Sequence, residues 1–240
     1  MNKRLFIVFI LGFSSGLPLS LLTSTLQAWF SDCGISIMAI GMLSLIGLPY
    51  VYRILWGPLL DRYALTRLGK RRSWILATQF TLLTGFNVMA WFSPESTPNI
   101  MAVIAFFLAC MSATQDMAIE AHRTEYLPLS EHGLGASIAT FGYRLGLLIS
   151  GSFALILAQY TGWSITYKLM GVLLVIGMFA AWYSEEPSLQ TEPVSFVESY
   201  LLPLKELFAR SGFISLILFI FFYKAGEAFT TTTSGIVMPF

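Results

Sequence analysis

The sequence predicts an all-α, multi-pass membrane protein, and three observations carry that prediction. Hydrophobic residues make up 56% of the 240 residues and charged residues only 11%, against about 25% charged in an ordinary soluble domain. The mean hydropathy is +0.72. The apolar residues also fall in runs of about twenty, the length that crosses a hydrocarbon core. So little charge cannot cover a water-facing surface, which excludes a soluble enzyme or a nucleic-acid binder. The net charge of +1, from 14 Lys and Arg against 13 Asp and Glu, says nothing about partners. Where the charges sit says more.

Seven runs qualify as spans: 5–30, 37–60, 74–93, 99–121, 133–158, 165–184 and 212–240. The first follows Lys3 and Arg4 but is too long for a signal-peptide core and lacks a cleavage site. Within it Pro18 is tolerated where neighbours satisfy the freed backbone, and Gly12 with Gly16 forms a GxxxG that permits close helix approach. Turn or charge signals end each run: Ser31-Asp32, the basic loop 61–73, Ser93-Pro94-Glu95, 128–133, Thr161-Gly162 and a polar stretch from Glu185. Cys33 and Cys110 read as inert small residues rather than a redox pair. The organisation expected is a six-span half over 1–184, a cytoplasmic linker over 185–211 and, over 212–240, the first span of an incomplete second half. The stretch 200–210 reads equally as an interfacial helix or a solvated linker.

Cytoplasmic loops carry the excess of Lys and Arg. Lys3, Arg4, Arg62, Arg67, Lys70, Arg71, Arg72, Arg123, Lys205 and Arg210 fall at the N-terminus or in alternate loops, while the opposite loops near Asp32, Glu95 and Thr161 carry none. Lys168, just inside the sixth run, is the nearest exception. The expected orientation therefore has a cytoplasmic N-terminus.

Ionisable groups at bilayer depth are costly and mark ion or solute pathways or interhelical pairs. Besides Lys168 at the edge of the sixth run, six stand inside the runs: Arg53, Asp116, Glu120, Arg144, Lys224 and Glu227. Ser112, Asp116 and Glu120 share one helix stripe at four-residue spacing, with Gln115 beside it. Ser20, Thr23, Ser24 and Gln27 share a face of the first span, and Lys224 with Glu227 are placed to neutralise one another. Tyr52-Arg53 in span two and Tyr143-Arg144 in span five occupy equivalent places in a 3+3 repeat of inverted topology. His122 and His132 lack metal spacing and read as solvated loop residues, so no metal, cofactor or enzymatic site is expected.

Gly57-Pro58-Leu59-Leu60-Asp61-Arg62 followed by Gly69-Lys70-Arg71-Arg72 resembles the GxxxDRxGRR-type signature of the major facilitator superfamily, with Tyr63 to Leu68 inserted. The resemblance implies a gating motif of Gly57, Asp61, Arg62, Gly69, Arg71 and Arg72. In order along the chain stand Leu11 to Leu19, Leu26-Gln27-Ala28-Trp29, Ala77-Thr78-Gln79, Ser112-Ala113-Thr114-Gln115-Asp116, Gly142-Tyr143-Arg144-Leu145-Gly146 and Tyr223-Lys224-Ala225-Gly226-Glu227. Together these resemble the AmpG-like muropeptide permeases. What the resemblance implies is a bacterial inner-membrane carrier that imports GlcNAc-1,6-anhydro-MurNAc peptides on the proton gradient, for peptidoglycan recycling. Such a solute offers hydroxyls, carboxylates and sugar rings. Gln27, Gln79 and Gln115 suit the hydroxyls, Arg53, Arg144 and Lys224 the carboxylates, and Tyr143 with Tyr50 and Tyr52 the rings. Asp116, Glu120 and Glu227 are the proton-coupling candidates.

A carrier of this family has two six-span halves, so the expectation is a chain carrying the first half and needing a C-terminal half as partner, besides membrane lipid. The competing readings are a carrier of a nucleotide-linked or peptide solute, a non-transporting remnant, and a retinal protein with its Schiff base on Lys224. Against the last stands the cytoplasmic N-terminus.

Overall fold

The computed structural model describes residues 2–186, 205–209, 212–222 and 225. Lys224 and Glu227 lie outside the described residues, as does most of the expected linker. Two compact units divide the chain, Met1–Glu192 and Pro193–Phe240. In the second, an apolar helix runs from Phe213 to Phe222, within the stretch read as a seventh span.

The first unit is helical throughout its regular structure. Its helices are α1 (Lys3–Leu22), α2 (Ser24–Asp32), α3 (Ile37–Met42), α4 (Leu48–Tyr52), α5 (Gly57–Arg62), α6 (Lys70–Met89), α7 (Pro98–Tyr126), α8 (His132–Leu148), α9 (Ala154–Thr161) and α10 (Trp163–Tyr183). Short tighter turns join α3, α4 and α5, and a wide π turn at Ile149–Phe153 joins α8 to α9. Five stretches are long and apolar enough to cross a membrane: Lys3–Asp32, Ile37–Leu55, Pro98–Tyr126, Leu129–Thr161 and Trp163–Tyr183. The run expected at 74–93 is the 20-residue helix α6, which is not among those five. Thr78, Gln79, Thr81, Thr84 and Asn87 dilute its apolar character.

Why the helices pack as they do follows from the glycines. A Cβ on Gly12 would stand 2.4 Å from the Ala139 carbonyl oxygen and one on Gly16 2.2 Å from that of Tyr143. Reciprocally, Gly142 and Gly146 on α8 leave room for the Phe9 and Phe13 carbonyls of α1, at 2.3 and 2.4 Å. Two GxxxG stripes therefore face one another, and α1 and α8 touch backbone to backbone. On its other sides α1 packs on α7 and α10, so it is the axial helix of the unit. Its Leu11, Leu17, Leu21 and Leu22 are at most 1% exposed. Large apolar side chains such as Val103, Phe107, Ile156 and Phe179 point outward, the surface a lipid solvent calls for.

The two ends are fixed by polar ties. At one, Arg4 lies over the Tyr126 ring at 5.6 Å and Asn2 donates to Glu131 at 3.4 Å. At the other, Trp163 Nε1 donates to Asp32 at 2.8 Å and Ser164 Oγ to the Ala90 carbonyl at 2.6 Å. One expectation is corrected here. His122 is not a solvated loop residue: α7 continues to Tyr126, and His122 is fully buried, stacked on the Tyr126 ring at 5.1 Å. A four-residue stacking contact and the Glu120–Arg123 pair carry the helix past the point where apolar residues thin out.

Candidate functional site

A cavity of about 290 Å³ opens between α1, α7, α8 and the turn after α4. Ser15, Arg53, Asp116, Glu120, Arg123 and Tyr143 line it together with mostly apolar residues. Its deepest charge is Asp116, whose side chain is 11% exposed. Ser15 Oγ donates to Asp116 Oδ1 at 2.5 Å, and the Arg53 guanidinium stands 3.8 Å from Oδ2. Arg53 is held loosely, its side chain 37% exposed. A guanidinium carries five donors in a planar fork, and a single contact at 3.8 Å leaves most of them facing the cavity. Farther along α7, Arg123 pairs with Glu120 at 3.2 Å, and the Glu120 side chain is 61% exposed. The stripe read from the sequence therefore runs from buried to open. Ser112, at its inner end, is fully buried and accepts from the Tyr50 hydroxyl at 2.7 Å.

Of the expected solute-binding residues, the structure gathers Arg53 and Tyr143 at this cavity. Gln79 and Gln115 are fully buried and turn instead to α1: Gln79 Nε2 donates to Ser14 Oγ at 2.9 Å and Gln115 Nε2 to the Ser14 carbonyl at 3.1 Å. Gln27, on α2, and Arg144, exposed on α8, are not among the lining residues. Tyr143 and Arg144 are neighbours about 100° apart around a helix, so only one can face inward.

The motif residues form a second polar cluster at the α6 N-terminus. Arg71 is 7% exposed and saturated. Its guanidinium meets Asp61 at 2.7 Å and Glu125 at 2.5 Å, and Nε donates to both Glu125 oxygens at 3.1 Å. Arg72 reaches back to the end of α10, donating to the Ala181 carbonyl at 3.0 Å and to that of Trp182. Glu186, just past α10, accepts the Arg71 and Arg72 backbone N–H groups at 2.8 and 3.1 Å. A carboxylate here serves as a distant helix cap, because Gly69 offers no side chain and the first turn holds three basic residues and no acid. Gly69 has φ +108°, and a Cβ on it would meet the Glu186 carboxyl carbon at 2.2 Å. Arg62 leans on the Tyr63 ring at 5.8 Å. At Gly57 there is room for a side chain, the nearest atom being Met117 Sδ at 3.7 Å.

Sequence reasoning passed over Glu125 and Glu186 as ligands of the motif arginines. The available signal was position: both acids stand at span ends on the side of the basic loop. Burial, and then the Glu95 and Asp32 charges, push the Cys33 thiol up. Among the described residues no group of three His, Cys, Asp or Glu is placed to hold a metal.

Comparison with known proteins places these features. The chain is 42% identical over 97% of its length to the anhydromuropeptide permease of Escherichia coli K12, covering 48% of that protein. It is 37% identical over 96% of its length to an uncharacterized protein of Haemophilus influenzae, covering 56% of it. A Rickettsia conorii protein named putative transporter AmpG 4 is 30% identical over 95% of the chain, which covers 58% of that relative. The chain thus spans about half the length of the curated relatives it matches. The family model described as Major Facilitator Superfamily matches residues 6–238, nearly the whole sequence, and this multi-pass membrane protein belongs to that superfamily of transporters.

Proposed function

We propose that the chain is the first half of an inner-membrane secondary transporter that imports GlcNAc-1,6-anhydro-MurNAc peptides on the proton gradient, for peptidoglycan recycling. The observation that carries this reading is the 42% identity over 97% of the chain to an anhydromuropeptide permease. The cavity chemistry supports it. A muropeptide brings carboxylates, for which Arg53 has donors to spare, and sugar rings, for which Tyr143 offers a flat face. Asp116 is the proton-coupling group, with Glu120 on the exit side. It stands at the inner wall, where a proton and an anionic solute compete for one electrostatic balance with Arg53.

In this reading α1–α2, α3–α5, α6, α7, α8–α9 and α10 are six spans in a 3+3 inverted repeat, over 1–184. The stretch 185–211 is the linker, and 212–240 begins a second half. The N-terminus is cytoplasmic, because the Arg71 cluster and Arg4 share the end with the excess of basic residues. The chain works with a second six-span half as partner, since its relatives are about twice as long. No enzymatic step and no cofactor is involved.

The test is uptake of labelled GlcNAc-anhydro-MurNAc tripeptide into cells lacking their own permease. They express this chain alone or with the second half of a full-length relative. Uptake that needs the added half and is collapsed by an uncoupler is the expected result. Asp116→Asn is expected to abolish gradient-driven accumulation at unchanged membrane levels. No uptake from either arm, with both halves present in the membrane, overturns the muropeptide assignment. Unchanged accumulation by Asp116→Asn removes that residue from coupling.

A further inference from the structure

The backbone of α1 has a gap that the sequence itself creates. In an α-helix each carbonyl is closed by the N–H four residues on, and Pro18 inside α1 has no N–H to give to Ser14. The open Ser14 carbonyl accepts from Gln115 Nε2 of α7 at 3.1 Å. The Ser14 hydroxyl accepts from Gln79 Nε2 of α6 at 2.9 Å. All three side chains are fully buried, so no water competes for these bonds. The fourth neighbouring helix makes room: a Cβ on Gly177 of α10 would stand 2.2 Å from Ser14 Oγ and 2.5 Å from Gln79 Nε2.

The pairing is in register with the cavity. Gln115 and Asp116 are consecutive on α7, and they meet the consecutive Ser14 and Ser15 of α1. While Gln115 closes the carbonyl of Ser14, Asp116 takes the hydroxyl of Ser15 at 2.5 Å. One residue faces the core and the next faces the cavity.

We propose that Gln115 is a positioning residue: by closing the carbonyl that Pro18 leaves open, it locks the register of α1 on α7 and so aims Ser15 at Asp116. A proline at this place turns an intrahelical hydrogen bond into an interhelical one. The amide N–H of Gln115 closes it here. Gln79 braces the same serine through its hydroxyl. Neither glutamine is among the residues lining the cavity. The assignment goes beyond the transport reading and depends on it only for the importance of Asp116.

The test reads neither uptake nor proton flux, so failure of the muropeptide assignment leaves it standing. The full 240-residue chain is placed in lipid nanodiscs as wild type, Gln115→Met, Pro18→Ala and the double variant. Restoring an N–H at residue 18 closes the Ser14 carbonyl locally. Gln115→Met is therefore expected to lower Tm by about 4 °C in the wild-type background and by less than half of that in the Pro18→Ala background. The structural specificity comes from a spectroscopic readout. The chain has three aspartates, Asp32, Asp61 and Asp116. With carbon-13-labelled aspartate, and Asp116→Asn as the subtraction, the infrared carboxyl band of Asp116 reports its hydrogen bond from Ser15. Gln115→Met is expected to shift this band toward that of Ser15→Ala, and the double variant to restore it. Equal Tm losses in the two backgrounds, or an unmoved band, overturn the proposal. If Gln115→Met fails to accumulate, the double variant must still fold; its failure as well counts against the proposal.

Discussion

Two arginines, Arg71 and Arg53, show how the same side chain serves opposite ends. Arg71 is buried and meets two carboxylates at 2.7 and 2.5 Å, with Glu125 gripped by both the Nε and a terminal nitrogen. Arg53 is more than a third exposed and, among the described residues, makes one ion pair, at 3.8 Å, to Asp116. A saturated cluster with a buried arginine holds structure, because removing Arg71 leaves the largely buried Glu125 carboxylate uncompensated, even though Asp61 is more than half exposed. A loosely held, partly wet guanidinium contributes little to stability and keeps its donors for something else. The difference separates a structural clasp from the group proposed above to meet the solute.

The comparison is broken most directly at Arg71. Arg71→Met strands Glu125, while Asp61, more than half exposed, is screened by solvent, and we expect a loss of about 3 kcal/mol, the low end of the buried-pair range, read as a lowered thermal midpoint in nanodiscs or as failure to accumulate. A loss below that of an ordinary surface change would show that the cluster is not a clasp. Next in size is the α1–α8 seam, which carries no charge at all. Gly16→Val drives side-chain atoms into the Tyr143 carbonyl, 2.2 Å from a Cβ, and is expected to cost about 2 kcal/mol by overpacking. Gly57→Ala, where the nearest atom is 3.7 Å away, serves as its near-neutral control. The smallest expected effect sharpens the contrast. Arg53→Gln should change stability by less than about 1 kcal/mol, yet weaken the binding of an anionic solute to the assembled carrier. A stability loss as large as that at Arg71 would place Arg53 among the structural ion pairs.

Much of the candidate site was legible along the chain. Asp116 and Arg53 stand out as charges in apolar runs, and the cost of burying charge predicts that they find each other or a polar cavity. They do both. Gln79 and Gln115 were legible only as polar residues within spans. Spacing along one helix does not say whether a face looks onto a cavity or onto a neighbour, and theirs looks onto Ser14. His122 was misplaced because the apolar residues thin out before α7 ends. Glu125 and Glu186 were missed because acids at span ends are common, and only folding brings them to the α6 N-terminus.

The sequence by itself determined the solvent of this protein, the helical class, the approximate helix ends and the asymmetry of charge between its two faces. Those follow from local composition: apolar runs set by bilayer thickness, and loops sorted by charge. It also carried the family motif. Tertiary structure alone decided which polar groups meet. The four glycines of the α1–α8 seam, the distant cap from Glu186 and the closure of the Ser14 carbonyl all join residues far apart in sequence. Each depends on a separation between helices that is set to within a few tenths of an ångström. Periodicity along one helix does not encode that distance, because it is set by the shape of the other.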